Sequence, residues 1–309
     1  MLAFDPVAGC NEVRMLPVTI ENDQLRLDVW PQFGGKISSI IDKADGYELL
    51  FSYPAELPTR CQYGMAHVDG WFAGWDECFP TVDPGPYPRH PYEGIAVPDH
   101  GEIWPLPTTA VPTRDGITTV WTGLRFGYRL TRKLYLDGPK IVAEYTLVNL
   151  APFPFYFVWM PHALLSTASP LSIELGPVEM LGDGVEQVWP QVAESLTFTQ
   201  SNALPAGGIW KRFGVRAIQA PAIVGYSQRA RQLSISYGSD SKVPAYWTVW
   251  LNTGGSAGQT NAAVTPTIGR GPTVASAVEE DAAGIIGPND KLSWTFTLEV
   301  APITATPAK

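Results

Sequence analysis

The chain has 309 residues, of which 45% are hydrophobic and 17% charged, a balance typical of folded globular proteins and unlike that of disordered ones. Its formal net charge is -9 at pH 7. This acidic excess disfavours a nucleic-acid partner, because few cations are available to neutralise phosphates. No stretch approaches the roughly 20 apolar residues that a membrane-spanning helix needs. We therefore expect a soluble protein with a neutral small-molecule partner and with neither a nucleic-acid nor a membrane partner.

The cysteine content and the first residues bear on the cellular compartment. The three cysteines, Cys10, Cys61 and Cys78, are an odd number, and no Cys-x-x-Cys pair occurs. So few cysteines are typical of a reducing cytosol, and the missing pair disfavours a structural zinc site. The first residues contain no basic segment followed by an apolar run, so they do not resemble a secretion signal. The expected location is cytoplasmic.

Alternating hydrophobic residues predict strands from the start of the chain. Residues 25–29 alternate between apolar and polar side chains. Residues 126–136 and 141–147 form two longer alternating runs on either side of an Asp-Gly-Pro turn at 137–139. This arrangement predicts an antiparallel hairpin.

The aromatic segment at residues 153–162 predicts a buried strand, since aromatic and β-branched residues favour strands. Pro161 has no N–H for a ladder hydrogen bond, so the strand should end there and leave His162 at its rim. Further strand patterns occupy residues 232–237, 246–252 and 293–300. Helical periodicity is weak throughout, and the breaks between patterns are typical of loops. We predict a single all-β domain over residues 1–309.

The segment at residues 71–80 combines adjacent acids with aromatic side chains. In a functional interpretation, Asp76 or Glu77 binds hydroxyl groups while Trp71 or Trp75 stacks on a sugar. In a structural interpretation, an acid binds backbone N–H groups in a turn, because a buried carboxylate needs partners. Both interpretations stay open on the residues alone.

Two further segments contain candidate site residues. If residues 99–104 are extended, His100 and Glu102 point the same way, and a carboxylate beside an imidazole selects its tautomer. At residues 261–271, Arg270 lies between two glycines, which let a ligand approach the backbone closely. Taken singly, each is more often an ordinary surface feature than a site.

Cofactor and metal motifs are absent from the sequence. No nucleophile elbow, phosphate-binding loop or dinucleotide-binding glycine pattern occurs. His67, Glu77, His100 and His162 could in principle bind a metal, but their spacing matches no compact metal motif. We therefore predict neither a cofactor nor a metal.

The order of several short motifs resembles that of the aldose 1-epimerase (galactose mutarotase-like) superfamily. The matching segments, which together span about residues 18–300, are residues 20–25, 29–37 with their Gly-Gly turn, 99–102, 132–149 and 159–162. The resemblance implies a large antiparallel β-sandwich (a supersandwich) with a sugar-binding cleft and no cofactor. It also implies that His162 is the general acid that protonates the sugar ring oxygen and that His100 holds the substrate.

The chain departs from the family pattern at the general base. The family has a glutamate just before a proline where this sequence has Thr265 and Pro266, and threonine cannot act as a base at neutral pH. The function we expect is that of an aldose 1-epimerase-like enzyme, which interconverts the anomers of a sugar or sugar derivative with a relocated carboxylate as the base. The candidates for this role are Asp76, Glu77 and Glu102, with substrate contacts expected from Trp71, Trp75, Trp159, His67 and Arg270.

Two alternatives remain open at this point. The missing glutamate also fits a carbohydrate-binding or regulatory protein that has the fold and no mutarotase activity. A rebuilt acid set could instead catalyse a different isomerisation or an elimination in the same cleft, and a metal-dependent version of that reaction would be sensitive to chelators.

Overall fold

A computed structural model describes residues 16–53, 56–175, 180–182, 195–198 and 206–303, and these residues are almost entirely strands and loops. The prediction of an all-β fold is therefore confirmed. Within these residues, no helix has the length and apolar character required to cross a membrane.

The long strands at Tyr128–Asp137 and Lys291–Pro302 alternate buried and more exposed side chains as the sequence pattern predicts, whereas those at Trp75–Cys78 and Met160–Ala163 are buried throughout. Strands in the first half are β1 (Val18–Glu21), β2 (Leu25–Trp30), β3 (Lys36–Asp42), β4 (Tyr47–Glu48), β5 (Trp75–Cys78), β6 (Gly85–Pro86), β7 (Ala96–Val97), β8 (Thr109–Pro112), β9 (Gly116–Thr122), β10 (Tyr128–Asp137) and β11 (Lys140–Asn149). Those in the second half are β12 (Phe155–Phe157), β13 (Met160–Ala163), β14 (Leu171–Glu174), β15 (Met180–Gly182), β16 (Ser195–Phe198), β17 (Ile209–Gly214), β18 (Ala222–Tyr226), β19 (Arg231–Gly238), β20 (Ala245–Thr253), β21 (Thr260–Ile268), β22 (Gly284–Ile286) and β23 (Lys291–Pro302). Helical segments are α1 (Val274–Glu279) and short 3-10 turns at Pro31–Phe33, His67–Asp69 and Ser227–Arg229.

The first layer is a nine-stranded antiparallel sheet in the order β16-β14-β18-β19-β23-β11-β10-β9-β8. Its centre contains the predicted hairpin, in which β10 pairs with β11 from Tyr128–Asn149 to Asp137–Lys140. The last strand, β23, pairs with β11 on one side and β19 on the other. The hairpin prediction is therefore confirmed.

The second layer combines two smaller sheets. One has the order β1-β2-β3-β5-β13, with β4 also paired to β3, and the other has the order β15-β17-β20-β21. Backbone bridges from Trp159 to Ile268 and from Leu165 to Ala262 join β13 to β21 at the boundary. The two sheets therefore form one continuous layer with β5, β13, β21 and β20 near its middle.

The aromatic segment at residues 153–162 does not form the single strand that was predicted. It divides into β12, which pairs with β22, and β13, which pairs with β5. The expectation that the strand ends at Pro161 was wrong, because Pro161 lies inside β13 opposite Glu77. At this position the N–H that proline lacks would point toward β21. The bridges between β13 and β21 are at Trp159 and Leu165, on either side of Pro161, so the proline interrupts neither of them. His162 is consequently in the middle of the layer and not at its rim.

A buried ion pair joins the two layers across the core. Arg132 on β10 donates to Oε1 of Glu77 on β5 at 2.9 Å, and both side chains are almost fully buried. The Tyr145 hydroxyl donates to the same oxygen at 2.7 Å, and Trp159 Nε1 donates to Oε2 at 3.0 Å. Because every donor comes from a different strand segment, this carboxylate sets the relative position of the layers.

Replacing Arg132 by methionine should destabilise the fold strongly. It leaves the Glu77 carboxylate buried without its countercharge, which typically costs about 3–5 kcal/mol of unfolding free energy. The measurement is urea denaturation of the wild type and the variant near neutral pH.

Arg129→Met is the matched control, because Arg129 lies on the same strand and its side chain is exposed. It should change the unfolding free energy by less than about 0.5 kcal/mol. Adding Glu77→Gln to Arg132→Met should recover part of the loss, since it removes the unpaired charge. Equal costs for Arg132→Met and Arg129→Met would contradict this account.

Candidate functional site

A pocket of about 210 Å³ opens on the face of the second layer that points away from the sandwich core. Strand alternation explains this placement. Thr248 and Trp250 of β20 line the pocket, whereas Trp247 and Val249 on the same strand point to the other face and pack in the core. The lining residues are His67, Val68, Phe72, Val82, Asp83, Asp99, His100, Met160, His162, Lys211, Thr248, Trp250, Ser256, Ala263 and Thr265.

Three of the four histidines of the chain meet at this pocket. The rings of His67 and His100 are stacked, with centroids 4.0 Å apart and planes 7° apart. His162 approaches both rings edge-on, with centroids 5.3 Å from His67 and 4.9 Å from His100. The cluster combines a 3-10 turn, a loop and strand β13, so only the folded chain assembles it.

An ionised carboxylate orients His67. Nε2 of His67 lies 2.9 Å from Oδ2 of Asp76, and Lys36 forms a buried ion pair with the same oxygen. Burial acts to raise the pKa of Asp76, but the charge of Lys36 and the hydrogen bond from His67 outweigh it and lower the pKa. An ionised carboxylate only accepts hydrogen bonds, so the His67 proton is on Nε2.

A second carboxylate orients His100. Nδ1 of His100 lies 2.7 Å from Oδ1 of Asp99, and the other oxygen of Asp99 accepts the backbone N–H of His67 at 2.8 Å. Burial acts to raise the pKa of Asp99, but the hydrogen bond and charge of His100 lower it to about 2. Asp99 is therefore an anion that holds the proton of His100 on Nδ1 and turns its Nε2 away.

The imidazoles of His67 and His162 are buried and uncharged. Burial, reinforced by the nearby His100, lowers the pKa of His67 to about 4 and that of His162 to well below its usual value. Nδ1 of His67 and Nδ1 of His162 are both buried and have no hydrogen-bond partner within the described part of the chain. Two imidazole nitrogens of the cluster are thus buried without a protein partner in that part of the chain.

The rest of the pocket provides an apolar wall and a few polar groups. Phe72 and Trp250 pack together in a small cluster outside the main core. Lys211 donates to both carboxylate oxygens of Asp83, at 2.7 and 2.8 Å. Thr265, in the position where the resembling family has its glutamate, lies on the pocket wall. Such a combination of aromatic faces and convergent polar groups suits a small hydroxylated ligand.

The structure separates the two adjacent acids of β5. Neighbouring residues on a strand point to opposite faces, so Asp76 faces the histidine cluster and Glu77 faces the sandwich core. Glu77 is occupied by its ion pair with Arg132 and does not line the pocket. Asp76 does not line it either, and its carboxylate reaches the pocket only through His67.

The structure also places Glu102 away from the pocket. Its side chain is fully buried and accepts hydrogen bonds from the hydroxyls of Tyr63 and Tyr128 at 3.0 and 3.2 Å. It also accepts from the backbone N–H groups of Leu124 and Arg125. Glu102 therefore holds the loop at residues 124–125. The prediction of an extended segment was wrong, because residues 98–101 form a tight turn in which His100 and Gly101 have positive φ.

The predicted stacking and binding residues other than His67 lie outside the pocket lining. Trp75 is buried against Phe296, and Trp159 is buried with its N–H on Glu77. Trp71 packs over the Lys36 ammonium, and Arg270 binds Glu280 at 2.7 Å. The same strand-face rule explains the two tryptophans nearest the site, since both project into the core.

Several lining residues were not predicted from the sequence. Trp250 and Thr248 share one face of a strand that the pattern at residues 246–252 does reveal, so alternation could have paired them. Phe72 lies in the aromatic segment at residues 71–80, from which only Trp71 and Trp75 were predicted to stack on a sugar. Asp83 and Lys211 are far apart in sequence and carry no motif, so only the fold reveals their contact.

Comparison with known proteins establishes the fold. The chain matches no protein-family model, and no curated protein is a significant relative. Among solved structures, the Slr1438 protein of Synechocystis sp. PCC 6803 is 16% identical with a TM-score of 0.69, over 98% of this chain and 99% of the other. A galactose mutarotase-like protein from Lactobacillus casei is 15% identical with a TM-score of 0.67, over 92% and 100%. An aldose epimerase homologue from C. elegans is 11% identical with a TM-score of 0.63, over 93% and 99%.

At these identities the likeness defines the fold and not the reaction. The chain has the galactose mutarotase-like β-sandwich fold. The resemblance inferred from the order of short motifs is thereby confirmed for the fold over nearly the whole chain. The chemistry must be argued from the pocket itself.

Gly101→Ala should destabilise the loop that presents His100. Gly101 has φ of 78°, and an added Cβ would lie 2.0 Å from the carbonyl oxygen of Phe79. Urea denaturation should show a loss well above the roughly 1–2 kcal/mol that a left-handed backbone alone costs.

Gly94→Ala separates the two effects. Gly94 has a similar φ of 80°, but no atom lies within 4 Å of an added Cβ. This variant should show only the conformational cost. If both variants lose the same stability, the close approach to Phe79 does not constrain the loop.

Proposed function

We propose that this protein is a carbohydrate isomerase of the aldose 1-epimerase type, which interconverts the anomers of a sugar bound in the pocket. The observation that carries this proposal is the cluster of three imidazoles, two of them held by carboxylates, beside an aromatic wall. The mutarotase-like fold supports the same reaction class.

Anomer interconversion needs one proton donor and one proton acceptor. The donor protonates the ring oxygen, and the acceptor removes the proton of the anomeric hydroxyl, so that the ring opens and closes again on either face. Imidazoles with centroids within 4.0 to 5.3 Å of one another repel as cations, so the cluster holds at most about one extra proton.

The pairing with Asp99 favours His100 as the proton donor. The Asp99 carboxylate holds His100 through Nδ1 and leaves Nε2 free to exchange a proton with the ligand, in the way that a buried aspartate orients histidine in a catalytic triad. His162 forms no ion pair among the described residues and supplies a neutral imidazole as the acceptor. We therefore assign the acid to His100 and the base to His162, whereas the resemblance implied that His162 is the acid, that His100 holds the substrate and that a carboxylate is the base.

With a histidine as base, the reaction does not need a carboxylate at Thr265. Asp76 acts as a positioning residue, because it touches His67 and not the pocket. Asp83 lines the pocket and forms an ion pair with Lys211, so it is better placed to accept a hydrogen bond from a hydroxyl of the sugar. Phe72 and Trp250 offer apolar surface to the C–H face of the ring.

His162→Gln should lower kcat/KM for mutarotation by about 100- to 10,000-fold, the usual worth of one general acid–base group. Polarimetry or NMR exchange measures the rate at which the anomers interconvert, for a panel of aldoses. His90→Gln is the matched control, because His90 is the exposed fourth histidine and lies outside the pocket. Equal rates for wild type and His162→Gln would exclude this assignment.

Thr265 favours one second function, a carbohydrate-binding protein without catalysis, because it replaces the expected base on the pocket wall. Trp250→Ala should weaken sugar binding under either function, by about tenfold or more, since it removes the large aromatic face. Calorimetry on wild type and variant measures this change. Binding without any rate enhancement in the wild type would establish the binding function. Unchanged affinity in Trp250→Ala would show that the sugar does not contact the aromatic wall.

A further inference from the structure

The histidine cluster presents ring nitrogens that the protein itself does not use. His67 donates from Nε2 to Asp76, so its Nδ1 carries a lone pair, and that atom is buried without a partner. His100 donates from Nδ1 to Asp99, so its lone pair is on Nε2. A buried polar atom without a partner costs stability, and such atoms in native structures call for an explanation.

His162 completes the set. Its ring is almost fully buried, and its Nδ1 also has no partner within the described residues. One ring nitrogen from each of the three histidines lies within 4.8 Å of the other two. Three nitrogen donors therefore converge on one small volume at the edge of the pocket.

We propose that His67, His100 and His162 form a binding site for a divalent transition metal ion, for which Zn²⁺ is the best match. Imidazole nitrogen is a preferred ligand of Zn²⁺, whereas Ca²⁺ and Mg²⁺ prefer oxygen. Zinc–nitrogen bonds of about 2.0–2.1 Å place tetrahedral ligands about 3.4 Å apart. To direct their lone pairs at one ion, the stacked rings of His67 and His100 must tilt out of parallel by rotation about their Cβ–Cγ bonds, which is a soft torsion.

The outer contacts of the cluster match those of metal sites. Metal-bound histidines usually donate their other ring N–H to a carboxylate, which fixes the tautomer and the ring orientation. Asp76 does this for His67 and Asp99 does it for His100. The buried Lys36 in turn holds Asp76, through hydrogen bonds to two backbone carbonyls and the carboxylate.

The site leaves one coordination position open. All three histidines line the pocket, so the fourth ligand of a tetrahedral ion would be water or an oxygen atom of a pocket ligand. Three protein ligands with one open position are typical of reactive zinc sites, whereas structural sites are closed by four. The expected ligand set is therefore His₃ plus one exchangeable oxygen.

This inference does not depend on the proposed sugar chemistry. Ion binding is measured without any sugar and without turnover. The metal and a transferred proton compete for the same lone pairs, so the mutarotation assay is run with a chelator present and the binding assay without one. Failure of one proposal is thus distinguishable from failure of the other.

The first test uses untagged, chelator-treated full-length protein. Calorimetric titration with ZnCl₂ in a non-chelating buffer should show one site per chain with a dissociation constant in the micromolar range or below. One equivalent of Co²⁺ should give the intense visible absorption bands of a tetrahedral nitrogen site. The absence of both signals from the folded wild type would overturn the proposal.

Variants then locate the site. His162→Gln should weaken Zn²⁺ binding by at least about 100-fold, and Asp99→Asn should weaken it by about 10- to 100-fold by releasing His100. The matched control His90→Gln should bind as tightly as the wild type, and circular dichroism checks that each variant is folded. Binding that survives His162→Gln unchanged, or that is lost in His90→Gln, would place the ion elsewhere and overturn the assignment.

Discussion

The adjacent carboxylates of Asp76 and Glu77 impose the constraint on which the rest of the structure depends. Both are buried on one short strand in the middle of the second layer, and neighbouring strand residues face opposite sides. A buried carboxylate needs a countercharge or hydrogen-bond donors, so the two faces require separate partners. Arg132 neutralises Glu77 between the layers, while Lys36 and His67 meet Asp76 on the outer face. A shift of the strand by one residue would turn Asp76 into the core and Glu77 to the outer face, away from the partners that each now has.

The same strand pairing builds the site. In the register of β5 with β13, Asp76 lies opposite His162, so a strand that must be buried for the core also brings a histidine to the outer face. Two loops then add His67 and His100, and Asp99 contacts both. The polar side of the layer is therefore as specifically determined as its core, because each imidazole is held by a hydrogen bond or by burial.

The alternating pattern was enough to predict the class of fold but not the division of roles at the site. The β10–β11 hairpin and the last strand follow directly from their two-residue periodicity. His100 and His162 also stood out in the sequence, as a histidine beside an acid and a histidine after an aromatic run. Glu77 and Glu102 stood out for the same chemical reason, yet the structure uses both to hold buried backbone and side chains. Residue type alone does not distinguish a buried structural acid from a reactive one.

The sequence by itself determined that this chain forms a large antiparallel β-structure, because side-chain periodicity and turn chemistry are local properties. The order of its short motifs added the resemblance to mutarotase-like proteins. The sequence also revealed which titratable residues are unusual in their surroundings. Only the tertiary structure decided that His67 joins His100 and His162, that Asp76 and Glu77 serve opposite faces, and that Trp159 belongs to the core. These outcomes depend on strand register and loop closure between distant segments, and such pairings leave no periodic trace in the sequence.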